Sequence, residues 1–215
     1  MKSIKVILII VIMVILTMPN FAGFFMNDIV DGFGGDDGKN KTIEGYVVAG
    51  AKSFIESHQN FLAVIQEFEI NSYQNVNIPS SLTFTETALK QLQNSRYQYI
   101  KALETAGQIG YNLAMIDKFK VFDYDGYINK YGLNKEIAGI VKKYLKEGDL
   151  LGIYRENIDN INNIINILVS IRDTLESGDK PAIGILWDCI QQYSTSLLLG
   201  NYATRFSIKI IKNIE

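Results

Sequence analysis

The chain carries one histidine, His58, and one cysteine, Cys189, and these two counts decide most of the chemistry open to it. A di-iron centre inside a helical bundle needs Glu-x-x-His on each of two helices. Glu56 stands two residues before His58, on another helical face, and no second histidine exists. Covalent haem needs Cys-x-x-Cys-His, but the histidine lies between Ser57 and Gln59. His58 therefore reads as a partly exposed residue at a bundle edge. Cys189 has no second thiol to pair with and reads as a small buried apolar side chain. No phosphate-cradling, dinucleotide-binding or nucleophile-elbow glycine motif occurs. Nearby carboxylates such as Glu67 and Glu69 fit a solvated helix face. No catalytic residue, metal ligand or cofactor is expected.

The segment 118–133 holds the candidate binding residues. Phe119, Phe122, Tyr124, Tyr127 and Tyr131 crowd there with Asp123 and Asp125. Aromatic groups with adaptable polar neighbours make contact surfaces for proteins or sugars, and they also plug the end of a bundle. Asp123-Tyr124-Asp125-Gly126 resembles the start of a calcium loop, but the twelfth position is Asn134 rather than glutamate. Arg172 interrupts an apolar seam, and the simplest resolution is a guanidinium that snorkels out near a bundle end.

The elements that would position these groups are helical. From Thr42 onward only Pro79 and Pro181 occur, and apolar residues recur at helical spacing. A first helix is predicted from about Ile43 to Tyr73, with Phe54, Phe61, Ile65 and Phe68 along one side. Pro79 and the following serines break it, and Thr83 with Glu86 reads as a capping box for a second helix running to about Lys120. That helix directs Leu92, Tyr99, Ala106, Ile109, Leu113 and Ile116 inward. A short helix from about Asn134 to Lys146 follows. Then Leu151, Tyr154, Ile158, Ile161, Ile165, Leu168, Arg172 and Leu175 form an a/d-type seam, stopped by Gly178-Asp179. Pro181 suits the first turn of the last helix, whose seam runs through Ile183, Leu186, Ile190, Tyr193, Leu197, Thr204 and Ile211.

Gly45, Ala49, Ser53 and Ser57 recur every four residues on the first helix, as do Ala102, Ala106, Gly110 and Ala114 on the second. Small residues so spaced let two backbones approach closely, and the two stripes are expected to face each other. The fold class expected is all-α: an up-down bundle of four long helices plus one short helix, preceded by an N-terminal signal or anchor segment.

That leading segment places Lys2 and Lys5 before an apolar run from Val6 to Met18, which reads as a secretory signal. Asn20 and Phe21 spoil the best cleavage site, at Ala22-Gly23, and uncharged sequence continues to Met26, long enough to anchor in a bilayer. No cysteine near residue 20 offers a thiol for lipid attachment. The expected organisation is 1–26 signal or anchor, 27–41 a linker rich in glycine and aspartate, and 42–215 the bundle. The body is expected outside the cytoplasm, periplasmic or extracellular, or held at the membrane by residues 4–26.

The composition, 47% hydrophobic and 20% charged with a formal net charge of −2, is that of a globular chain. Nothing basic enough to bind nucleic acid is present. The function expected is a non-enzymatic binding or structural component of the cell envelope, its partner an envelope protein or other surface component. Two other readings follow from the same features. One is a membrane-active, pore-forming-type bundle; the other is a bundle that holds a small ligand or cofactor, suggested by Trp187 and the tyrosines.

Overall fold

A computed structural model of the chain describes residues 42–70, 73, 75–108, 123, 126, 139, 142–144, 150–197 and 204. Among these residues the chain is all-helical, without strands, and the helices pack as a bundle. The segments assigned to signal, anchor and linker lie outside the described residues.

Helix α1 spans Ile43–Ile70, and the Thr42 hydroxyl caps it by accepting the Gly45 N–H at 3.1 Å. Phe54, Phe61, Ile65 and Phe68 are buried along one face, as the spacing predicts, and Val47 and Val64 are buried with them. Helix α2 spans Ile78–Gln108. It does not begin at a Thr83–Glu86 capping box. Asn77 is the cap, its Oδ1 accepting the Ser80 N–H at 3.1 Å, and Pro79 sits in the first turn, where its missing N–H costs nothing. Thr83 lies inside the helix and donates back to the Pro79 carbonyl. Leu92, Tyr99 and Ala106 are buried as expected, while Ile109, Leu113 and Ile116 lie outside the described residues.

Helix α3 spans Leu150–Glu176 and buries a wider stripe than an a/d seam. Ile153, Asn157, Ile164 and Ile171 are fully enclosed beside Tyr154, Ile158, Ile161, Leu168 and Leu175. The reason is that α3 has two neighbours, packing on α2 and on the next helix. Arg172 lies at the edge of this stripe and pairs outward with Asp173 at 2.6 Å and Glu176 at 3.5 Å. The helix closes in a Schellman motif. Gly178 adopts φ 80, its N–H reaches the Leu175 carbonyl, and the Asp179 N–H reaches that of Thr174.

Helix α4 spans Ile183–Ser196, and Ala182 in extended conformation is its N-cap. Pro181 therefore precedes the helix instead of lying in its first turn. Leu186, Cys189, Tyr193 and Ser196 form the buried face. Ile183, expected to open the seam, is 57% exposed, because it sits at the helix start about a quarter turn around from that face. Thr204 is buried, and Ile211 lies outside the described residues. Of the predicted short helix, 139 and 142–144 are described and helical.

The small stripe of α1 packs in part against residues outside the stripe of α2. Ser57 reaches Ala88, Ser53 reaches Asn94, and Gly50 reaches Ser95 and Tyr99, so the small face of α1 packs antiparallel against 88–99 of α2. Ala102 and Ala106 are buried further along, and Gly110 and Ala114 lie outside the described residues.

The α1–α2 and α3–α4 turns meet. The Tyr73 hydroxyl donates to the Pro181 carbonyl, and the Lys180 ammonium donates to the Tyr73 carbonyl at 3.0 Å. Tyr73 holds a left-handed backbone, φ 64, unusual for a residue with a bulky side chain. Its ring packs on Phe68, 5.5 Å between centroids.

Candidate functional site

The five aromatic residues proposed from sequence as a contact surface, Phe119, Phe122, Tyr124, Tyr127 and Tyr131, lie outside the described residues. Of their neighbours, Asp123 is exposed and turns back on its own chain, its Oδ1 accepting the Gly126 N–H at 3.0 Å. Among the described residues no group of histidine, cysteine, aspartate and glutamate is arranged to hold a metal ion. No described helix is long and apolar enough to cross a membrane.

What the helices do bring together is a polar and aromatic centre around Tyr193. On α1 the residues Phe54, Ser57, His58 and Phe61 share one face through their spacing of three and four. The Tyr193 ring of α4 enters that face. Its centroid lies 5.4 Å from Phe54, 5.0 Å from His58 and 5.4 Å from Phe61, stacked on the last two. Its hydroxyl meets the Ser57 hydroxyl at 2.7 Å, and the Ser57 hydroxyl donates to the Ala88 carbonyl of α2 at 2.7 Å. A serine has one proton to give, and Ala88 takes it, so Tyr193 must be the donor to Ser57. The result is a directed chain of two hydrogen bonds running from α4 through α1 to α2.

Burial sets the ionisation of every group in this centre. The Tyr193 phenol is held well above its ordinary value by loss of solvent, with the neighbouring Cys189 adding to the shift and the hydrogen bond with Ser57 opposing it. The Cys189 thiol, also buried, is pushed up, so it stays protonated and unreactive. His58 keeps a little exposure at the bundle edge, as its sequence context suggests, yet desolvation lowers it to about 4. Stacking against Tyr193 removes water from the ring even though part of the residue still reaches solvent. Among the described residues His58 makes no hydrogen bond or ion pair, so it is a neutral imidazole at pH 7. No activated nucleophile and no base poised against one is assembled here.

A second polar contact joins α3 to α4, where the Ser196 hydroxyl donates to Asn157 Oδ1 at 3.0 Å. Both residues are fully enclosed, and Asn157 Nδ2 has no partner among the described residues. On the outside, α4 presents Ile183 and Trp187 one turn apart, 57% and 38% exposed, and α2 presents Tyr97. From the sequence Trp187 enters only as a hint, with the tyrosines, of a small-ligand or cofactor site. The i, i+4 spacing of Ile183 and Trp187 was visible there, and the register of the buried face is what turns them outward.

No protein-family model matches the chain, and neither a curated protein nor a solved structure matches it.

Proposed function

We propose that the chain is a non-enzymatic, extracytoplasmic helical-bundle protein that binds or organises another component of the cell envelope. The observation that carries this reading is the pair Ile183 and Trp187. Two large apolar side chains stand one turn apart and exposed on α4, a helix that buries Leu186, Cys189, Tyr193 and Ser196 on another face. A helix that can bury its apolar residues and leaves a tryptophan outside has a surface suited to contact, since tryptophan is the side chain most enriched where binding energy concentrates.

The architecture proposed is an up-down bundle of four long helices with a short helix across one end. It is supported by the two short turns that meet through Tyr73 and Pro181, and by the hydrogen bonds from Tyr193 that close α4 onto α1. Residues 1–26 direct export, and anchor the body to the membrane where they are not removed.

The test is a photo-crosslinking side chain placed at position 187 of the full chain in exporting cells, with position 93 as an exposed control on α2. A discrete adduct at 187 that is absent at 93 and abolished by Ile183→Asp is expected. Adducts that are equal at both positions, or none at either, would overturn the reading, as would a membrane-impermeant label failing to reach residue 93 in intact cells.

A further inference from the structure

His58 stands where α1 meets α4. Its ring stacks on Tyr193 at 5.0 Å, inside the contact that joins α4 to α1 and, through Ser57, to α2. From α4 the titratable groups on this side are Tyr193 and Cys189, both kept neutral by burial. Asp188, the one charged residue within Ile183–Ser196, is exposed on the helix's other side. On α1 the nearest charges along the chain are Glu56 and Lys52, and on α2 Glu86 and Lys90 flank Ala88. None of these acts on His58, whose ionisation is governed by desolvation alone. A proton arriving on the imidazole would thus have no counter-charge and no hydrogen-bond acceptor among the described residues.

We propose that the His58–Tyr193 stack is an acid-sensitive latch, and that protonation of His58 releases α4 from α1 while leaving the α1–α2 pair assembled. The α1–α2 pair is held independently by Asn94 to Ser53 at 2.7 Å and Ser95 to the Gly50 carbonyl at 2.8 Å. Among the described residues the ring contacts between α4 and α1 all run through Tyr193, the ring that His58 touches. The direction of the effect follows from the two states. Folded His58 titrates near 4 and a released one near 6.5, so the open state binds the proton first. Closure is fully supported above pH 6.5 and loses support as the pH falls towards 4. Across that interval the closed-to-open ratio falls by about two orders of magnitude. This inference does not depend on which envelope component is bound.

The test is amide hydrogen exchange on the full chain at pH 7.5 and pH 4.5, in the wild type and in His58→Gln. Protection of 186–196 is expected to drop at least tenfold more than protection of 85–100 on acidification in the wild type, and to drop equally in the two helices of the variant. Equal losses in both helices of the wild type, or the same selective loss in His58→Gln, would overturn the proposal. A proton NMR titration of His58 in the wild type needs no variant to fold. An imidazole titrating near 4 supports the latch, and one titrating near 6.5 contradicts it.

Discussion

Tyr193 donates its hydroxyl proton to Ser57, 136 residues earlier in the chain, and Ser57 passes its own to the carbonyl of Ala88. Three helices are joined by two hydrogen bonds, both 2.7 Å long and both enclosed by protein. Apolar packing alone is non-directional and would allow α4 to slide or rotate against its neighbours. A buried donor that can be satisfied at one place only fixes a single register, because a slipped arrangement would leave it unpaired at about 1–3 kcal/mol.

The close approach of α1 and α2 is set at Gly50. A Cβ there would stand 3.0 Å from Cε2 of Tyr99, a ring that is itself almost fully enclosed and has no free direction to move. Gly50→Ala gains helix propensity, about 1 kcal/mol, but must displace the ring, so a net loss of about 1 kcal/mol is expected in urea unfolding. Gly184→Ala, where a Cβ meets nothing within 4 Å, should instead stabilise by about 0.5 kcal/mol. The opposite signs are the signature, and stabilisation by both would show that α1 and α2 lie further apart.

Much of this could be read in the sequence, and the limits have physical causes. The apolar faces of α1 and α3 follow from spacing, and Gly178 stops α3 because only a left-handed residue completes its Schellman closure. The start of α2 was misplaced because Thr83 and Glu86 fit a capping box, while Asn77 caps a turn earlier and Pro79 is harmless in a first turn. The small stripes were visible, but the partners Ala88 and Asn94 of Ser57 and Ser53 were not, since helical periodicity says which face is buried and not what lies opposite. Tyr193 was read as one more seam residue. Ser57, a polar residue between Phe54 and Phe61 on an apolar face, was the signal that a partner was required.

Asn157 and Ser196 form a polar contact that satisfies only part of what it buries, because Asn157 Nδ2 is left without a partner among the described residues. Replacing both by apolar groups of similar size removes the unsatisfied donor together with the bond. Asn157→Leu combined with Ser196→Ala is expected to raise stability by about 1–2 kcal/mol, measured as a shift in the urea midpoint at unchanged slope. A loss of that size would mean that a bound water or another group satisfies Asn157.

The turn contact at Tyr73 is held against an unfavourable backbone. A left-handed conformation costs a bulky residue of the order of 1–3 kcal/mol, and the hydroxyl bond to Pro181 together with packing on Phe68 offsets it. Tyr73→Phe removes the hydroxyl alone and should cost about 1 kcal/mol. Tyr73→Gly relieves the backbone but loses the ring as well, and should cost more than Tyr73→Phe. If the glycine variant were the more stable of the two, the ring would contribute nothing to joining the turns.

The most direct measurement is a double-mutant cycle on Ser57 and Tyr193, followed by urea unfolding of the full chain. Ser57→Ala strands the buried Tyr193 hydroxyl and should cost about 2–3 kcal/mol, whereas Tyr193→Phe leaves Ser57 bonded to Ala88 and should cost about 1 kcal/mol. The double variant should cost less than the two losses combined, with a coupling of about 1–2 kcal/mol. Additive losses within about 0.3 kcal/mol would contradict the account, because the two residues would then not touch and α4 would not close onto α1 where the structure places it.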